Sequence, residues 1–338
     1  MEIALNYYRA RVKNAFGEKI KVVMIMKEKK LIPIFFASDE NYMPYLGVAL
    51  TSLKAHANPE YTYKIHVLYT GNLNGHTSLV KKMRSGNFQI EFTDLTKKID
   101  EIADMMHCRD YYTSAIYYRL FIPALFPDYD KIVYADCDTV LLDDIAKLYE
   151  TDIGENYIGA VADRAVASVP AFIDYTKNAL GIDGDKYFNS GVIVMNLRKL
   201  REIDFYERFR RVLGSYDFVV APDQDVLNLI CKDKVYYFEE AWNQMPIGGA
   251  QTATTPKLVH YNLSLKPWHY DNVLYENYFW EYAKRTPFYD FILAQKASFS
   301  IERKQKDEED GKNLIALAKS EAESPNNYIR TVGKNANA

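Results

Sequence analysis

Most of what this chain lacks narrows the field. Cysteine is scarce: of 338 residues only Cys108, Cys137 and Cys231 carry thiols, with no Cys-x-x-Cys pair among them. An odd, scattered set argues against a disulfide framework and suits a reducing compartment. Charge of one sign is absent too. The formal net charge is −3, so no basic field points to nucleic acid. Long apolar runs are missing, and so are internal repeats. No stretch of about 18 apolar residues exists, and the first thirty residues show no charged start followed by an apolar core. These absences predict a cytoplasmic protein, with contact to the inner membrane face left open.

What is present is ordinary in bulk, 48% apolar and 26% charged, but rich in aromatics, with 28 Tyr, 17 Phe and 3 Trp. Most such rings serve packing, and some suit sugar or base surfaces. Along the chain, residues 1–30 read as a polar N-terminal extension. From Leu31 the run LIPIFFAS reads as a buried parallel strand. A helix follows, with Tyr45, Val48, Ala49 and Ser52 on one face. TYKIHVLYT, FQIEFTDL, DKIVYADCDTVLL, IGAVAD and FNSGVIVMNL supply further strands. Single helices are expected over YTSAIYYRLFIPALFP and LREIDFYERFRRVL, and another over APDQDVLNLICK. The alternation predicts an α/β fold with helices on both faces of a mostly parallel sheet. This core is expected over 31–274. An aromatic helical segment over 275–299 follows, either packed on the core or resting on an anionic membrane. The charged stretch 300–338 reads as a solvated helix or flexible tail.

The chemistry centres on KIVYADCDTVLLDD. Asp136 and Asp138 follow a strong strand, where ligands sit in parallel α/β sheets. Residues i and i+2 of an extended chain point the same way, so both carboxylates reach one cation while Cys137 faces the protein. Two hard oxygen ligands favour Mg²⁺ or Mn²⁺. The same letters also fit a haloacid-dehalogenase-type phosphatase, with Asp136 as nucleophile and Asp138 as acid and base.

Other polar residues close other strands. Asp39 and Asn41 follow the first strand, where helix capping is the plainer reading. Arg119 lies among aromatic residues and suits a structural ion pair. Asp223 and Gln224 open a helix after Pro222, again a capping position. His260 precedes YNLSLKPW and reads as a packed histidine, and Lys266 as a surface lysine anchored by Pro267 and Trp268.

Taken in order, five segments change that balance: FASDENYMPYLGVALTSL, YYRLFIPALFPDYDKIVYADCDTVL, KYFNSGVIVMNL, APDQDVLN and LVHYNLSLKPWHY. Together, from about Ile32 to Tyr289, the chain resembles glycosyltransferase family 8, the bacterial lipopolysaccharide galactosyl- and glucosyltransferase-like hexosyltransferases of GT-A fold. The resemblance implies transfer of glucose or galactose from a UDP-sugar, with retention, to a glycan, glycolipid or glycoprotein hydroxyl. It implies Ala37, Asp39, Asn41 and Tyr42 at the uridine. It places Arg119, Asp163, Asn189, Asp223 and Gln224 around the donor sugar, and Lys266 at the diphosphate. Gln224 falls at the reacting carbon, with Asp163 beside it among the donor-sugar residues as a further catalytic candidate; Asp225, next to Gln224 in the chain, is read only as a charge-stabilising partner. His260 becomes the third ligand beside Asp136 and Asp138. An imidazole in that set favours Mn²⁺ over Mg²⁺. The pattern departs at Leu263, where the family usually has glycine. A phosphatase, or a UDP-sugar-binding protein without turnover, are the competing readings.

Overall fold

The computed structural model describes residues 29–106, 113–248 and 255–333. Nearly all of the expected N-terminal extension, and Cys108, lie outside them. Nine strands are described: β1 (Lys30–Ala37), β2 (Tyr61–Tyr69), β3 (Phe88–Asp94), β4 (Lys131–Ala135), β5 (Thr139–Leu141), β6 (Ile158–Ala162), β7 (Phe188–Asn196), β8 (Val235–Tyr237) and β9 (Leu258–His260). Seven form one sheet in the order β3-β2-β1-β4-β7-β6-β8, and β5 pairs with β9 in a separate ribbon. Within the large sheet, β7 runs against both β4 and β6, and the other pairings are parallel. The mostly parallel sheet expected from the sequence is therefore present, with one reversed strand near its middle.

Strand periodicity splits the core in two. Ile32, Ile34 and Phe36 of β1 face the helix Met43–His56, while Phe35 faces the opposite layer with Tyr134 and Ile193. All are fully or nearly fully buried, which is why β1 reads as an unbroken apolar run. On the first side Gly47 of the helix Met43–His56 admits the ring of Phe288. A Cβ at Gly47 would stand 2.5 Å from that ring.

The aromatic segment after residue 275 forms two helices, Glu276–Ala283 and Tyr289–Ser298, and buries Phe279, Tyr282, Phe288 and Ile292 in this first core. Its rings face the protein. Among the described residues no helix is long and apolar enough to cross a membrane.

Three expected elements differ in detail. LREIDFYERFRRVL is two helices, Leu197–Glu202 and Phe205–Ser215, broken where Asp204 takes a left-handed φ of 52°. The stretch around Arg119 is a 3₁₀ helix, Ser114–Phe121, followed by the short helix Ile122–Leu125. Pro123 lacks the N–H that would carry one α-helix through. The charged stretch after Ser300 is a 23-residue helix, Ile301–Glu323, started by the Ser300 hydroxyl accepting from the Arg303 amide at 3.2 Å. Asp307, Ala318 and Ala322 on it are buried, and Leu314, Leu317 and Ala318 join the second core. The sequence hid this docking because small alanines, rather than large apolar residues, make the buried stripe.

Ala318→Asp would place a carboxylate at a fully buried position, at a cost of about 2–4 kcal/mol, enough to loosen the helix. Limited trypsin digestion should then cleave within 301–333 sooner than in wild type, while Ala316→Asp on the exposed face leaves the rate unchanged. Equal cleavage in both variants would contradict the docking.

Candidate active site

The reversal of β7 builds the site. Because β7 runs against its neighbours, its first residues meet the carboxyl ends of β4 and β6: Ala135 pairs with Val192, and Ala162 with Phe188. The Asp136 amide extends this ladder to the Gly191 carbonyl at 2.7 Å. The β5–β9 ribbon brings in the remaining piece. Thr139 faces His260 in register, and the Tyr261 amide donates to the Asp138 carbonyl at 2.9 Å. Residues more than a hundred positions apart are thereby set side by side.

Asp136, Asp138 and His260 offer ligand atoms that all lie within 4.8 Å of one another. His260 Nε2 stands 3.3 Å from Asp138 Oδ1 and 3.7 Å from Asp136 Oδ2. Its Nδ1 lies 3.0 Å from the Asn243 side-chain oxygen. An amide oxygen only accepts, so Nδ1 carries the proton and Nε2 turns its lone pair toward the carboxylates. Asp136 Oδ1 is held by Arg119 Nη2 at 2.9 Å and by the Tyr134 hydroxyl at 2.8 Å, leaving Oδ2 on the His260 side. Asp138 Oδ1 is buried without a hydrogen-bond partner. An acceptor so placed beside an imidazole lone pair is what a divalent cation satisfies, so the donor set fits a metal ion. Gly191 leaves room for the cluster, since a Cβ there would stand 2.3 Å from His260 Cε1 and 2.6 Å from Asp136 Oδ2.

A hydrogen-bonded relay runs outward from His260. Asn243 Nδ2 donates to Asn189 Oδ1 at 2.9 Å, and Asn189 Nδ2 donates to Asp163 Oδ2 at 2.9 Å. Gln224 Nε2 donates to the same Asp163 oxygen at 3.0 Å, and Gln224 Oε1 accepts from the Ser190 amide at 2.9 Å. Asp223 Oδ2 takes the Ser190 hydroxyl at 3.2 Å and faces Arg119 Nε at 3.3 Å. Lys266, buried, donates to Asp138 Oδ2 and to the Tyr261 carbonyl.

Burial opposes ionisation of Asp138, yet the Lys266 ammonium beside it prevails and holds its pKa below the usual carboxylate range. Burial pushes Asp223 up to about 6 despite Arg119. It pushes Asp225 up to about 7 against hydroxyl donors from Tyr187 and Tyr175.

Ala37, Asp39, Tyr42, Arg119, Asp136, Asp138, Asp163, Asn189, Asp223, Gln224, His260 and Lys266 all line one cleft of about 1320 Å³, counting the space open to solvent. Two expected residues do not. Asn41 is exposed and away from the lining. Asp225 is fully buried beneath it, its carboxylate taken by Tyr175 at 2.7 Å, Tyr187 at 2.5 Å and the Ala221 amide at 3.2 Å. Asp163 lines the cleft and also caps the helix Arg164–Ser168, accepting from the Val166 amide at 3.0 Å, whereas Asp39 closes the turn before the helix Met43–His56, accepting from the Tyr42 amide at 2.9 Å, and does not cap it. Cys137 turns inward, its thiol donating to the Ala37 carbonyl at 3.1 Å. Sequence reasoning missed Tyr134, Gly191 and Asn243. Gly191 stood inside a quoted motif, whereas nothing near Asn243 marks it. Leu263, in place of the usual glycine, adopts φ 56°, the left-handed conformation that glycine takes freely.

A mostly parallel sheet with one reversed strand, and an Asp-x-Asp and a histidine converging beyond its strand ends, is the GT-A arrangement of a glycosyltransferase. Residues 33–272 match Glycosyl transferase family 8, and the chain belongs to that family. It is 28% identical over 265 residues to General stress protein A of Bacillus subtilis, covering 72% of this chain and 89% of that protein. It is also 28% identical to the lipopolysaccharide 1,2-glucosyltransferase of Escherichia coli, covering 70% and 72%. Among solved structures, the galactosyltransferase LgtC in complex with donor and acceptor sugar analogues superposes with a TM-score of 0.66 at 29% identity, covering 76% of this chain and 96% of that one. The bifunctional glycosyltransferase WbbM shares the fold at a TM-score of 0.67 and 23% identity, this chain spanning 55% of it. The phosphatase reading of Asp136 and Asp138 falls with this membership.

Gly191→Ala should lower transferase turnover at least about 100-fold, because the added methyl displaces His260 from the carboxylates. Turnover near wild type would show that these three side chains are not the reacting centre.

Asp225 ties stability to pH. Its pKa rises from 3.8 to about 7 on folding, so between those values the native state keeps a proton that the unfolded chain has lost. The contribution is fully present below the lower value and lost as pH climbs through the upper one, by up to about 1.4 kcal/mol per pH unit. Urea midpoints of wild type should therefore fall from pH 5 to 8 relative to those of Asp225→Asn. Parallel profiles would mean that Asp225 is ionised throughout.

Proposed function

We propose that the protein is a retaining hexosyltransferase that moves glucose or galactose from a UDP-sugar to a hydroxyl of a glycan, glycolipid or glycoprotein, with Mn²⁺ held by Asp136, Asp138 and His260. The observation that carries this reading is the unpartnered, buried Asp138 oxygen beside an imidazole whose tautomer Asn243 fixes. Two carboxylates with one neutral imidazole suit Mn²⁺ better than Mg²⁺. Bound there, the ion supplies Lewis-acid charge against the donor diphosphate.

The chain's own residues do the rest. Tyr42 and Asp39 flank the cleft beyond β1, where a ring can cover the base and a carboxylate can accept the uracil N3–H. Lys266, already within the cluster, brings an ammonium charge to the leaving phosphate. Asp163, Asn189, Asp223 and Gln224 present fixed donors and acceptors to sugar hydroxyls. The carboxylates among them are engaged by the protein: Asp163 Oδ2 accepts two side-chain amides and Asp223 faces Arg119. Gln224 is neutral and held at both ends of its amide. In keeping with the retention that the family resemblance implies, displacement takes place on one face: the acceptor oxygen bonds to the anomeric carbon as the bond from that carbon to the phosphate oxygen breaks. The acceptor proton passes to the departing phosphate oxygen.

Incubation with UDP-glucose or UDP-galactose and Mn²⁺ should release UDP slowly even without acceptor. Asp138→Ala should cut that release by about 100-fold or more. Binding of UDP with no release from either sugar would favour a binding protein. Full release by the variant would remove the ion from the reaction.

A further inference from the structure

The cleft has a second wall that the transfer step above leaves unused. The hydrogen-bonded relay from His260 ends at Asp163, which caps the helix Arg164–Ser168 through the Val166 amide. From there the character of the lining changes. Ile116, Ala165, Val166, Phe172, Val220 and Leu314 bring no charge and no side-chain hydrogen-bonding group. Ile116, Val166, Phe172 and Leu314 are each only half-buried, so apolar surface is left facing the cleft. The charged lining residues, by contrast, gather around the strand ends already described.

Leu314 has a separate origin. It sits on the helix Ile301–Glu323, which lies beyond the 33–272 stretch matched by the family. The helix packs against Pro170–Tyr175, the element that carries Phe172, and is anchored by buried Ala318 and Ala322. An element added to the family domain thus completes one side of the reaction cleft. Thr113 and Thr176 also line the cleft, with the Thr176 hydroxyl donating to the Ile173 carbonyl at 3.1 Å and the Thr113 hydroxyl accepting from the Ala115 amide at 3.3 Å. Sugar hydroxyls pressed on the six apolar side chains themselves would lose water without gaining a partner, which is unfavourable. An alkyl or aryl group placed there would gain from leaving water.

We propose that this wall is an acceptor subsite for an apolar aglycone, an alkyl or aryl group carried by the acceptor next to its reacting hydroxyl, and that Leu314 makes the C-terminal helix a determinant of acceptor choice. The inference rests on the transferase reading given above. It adds the chemical class of the acceptor, which that reading leaves open.

The test uses the full-length protein, whichever of UDP-glucose or UDP-galactose it cleaves, and methyl, octyl and p-nitrophenyl glycosides of glucose and galactose below micelle-forming concentrations. Wild type should show kcat/KM for octyl or p-nitrophenyl acceptors at least about tenfold above that for the methyl acceptor. The octyl and p-nitrophenyl arms separate an aliphatic from an aromatic aglycone. In Leu314→Ser the ratio should fall several-fold, chiefly through KM of the apolar acceptor, and Leu314→Met should restore it. Phe172→Ser serves as a second probe should the first variant lose its helix. A ratio near one in wild type, or a ratio unmoved by both serine variants, would overturn the subsite. Absence of UDP release by wild type from either donor would instead remove the transferase reading beneath it.

Discussion

Two carboxylates set side by side at the end of a central strand are the constraint around which this molecule is arranged. At about 4 Å, like charges repel by roughly 4 kcal/mol at the effective dielectric of a protein. Burial adds to the cost. The chain answers with cations held in the protein itself. Arg119 lies over the Tyr134 ring, 4.5 Å from its centre, and grips Asp136. Lys266 is drawn onto Asp138. What the two cations leave over is one oxygen of Asp138, buried and unpartnered, and one lone pair of His260. These acceptors converge with Asp136 Oδ2, a donor set that fits a divalent ion. The reversed β7, the β5–β9 ribbon and the missing side chain at Gly191 are the backbone arrangements that allow such a gathering.

How much of this could be read from the sequence follows from where each signal lives. The strands declare themselves because both faces of the sheet are covered, so apolar runs such as Ile32–Phe36 are continuous. The carboxylate pair was legible because it follows directly on an apolar strand, but the extended-chain alternation expected for it is not what aligns it: Asp136, Cys137 and Asp138 form the turn between β4 and β5, and the turn sends Cys137 inward to the Ala37 carbonyl. Pairings over long sequence distance were not legible. Nothing in KLVH says that β9 joins β5 rather than the main sheet, and Asn243 has no local mark of its link to His260. Asp225 shows a further limit. Being next to Gln224 on a helix sends it to another face, where two tyrosine hydroxyls take it up as a buried structural group. Asn41 is placed outside the cleft in a similar way, by the first turn into the helix Met43–His56.

The turn after β9 illustrates how a local rule yields to its surroundings. A left-handed residue other than glycine costs about 1–2 kcal/mol. Leu263 accepts that cost because both sides of the turn are fixed. Tyr261 is buried before it. After it, Trp268 is buried and stacks on Tyr45 with ring centres 4.0 Å apart. Lys266 bonds back to the Tyr261 carbonyl and to Asp138, so the turn must reverse direction within a few residues whatever occupies its apex. The backbone path associated with glycine thus survives its replacement, and the leucine side chain points an exposed apolar group over the cleft edge.

The two ends of the cleft are held by different kinds of force, and this bears on how such an enzyme changes its acceptor. At the charged end almost every polar atom is engaged: Asp163 alone meets Asn189, Gln224 and the Val166 amide, and altering one partner leaves another buried and unpaired. Substitution there is expensive. The apolar end is built from half-buried side chains on short helices and on the appended helix Ile301–Glu323, with no hydrogen bond to lose when a leucine becomes a smaller or larger residue. Apolar swaps of similar volume at such positions cost little. A fixed centre for breaking the donor bond, bordered by a wall that tolerates replacement, lets acceptor preference move while the chemistry stays where the strands put it.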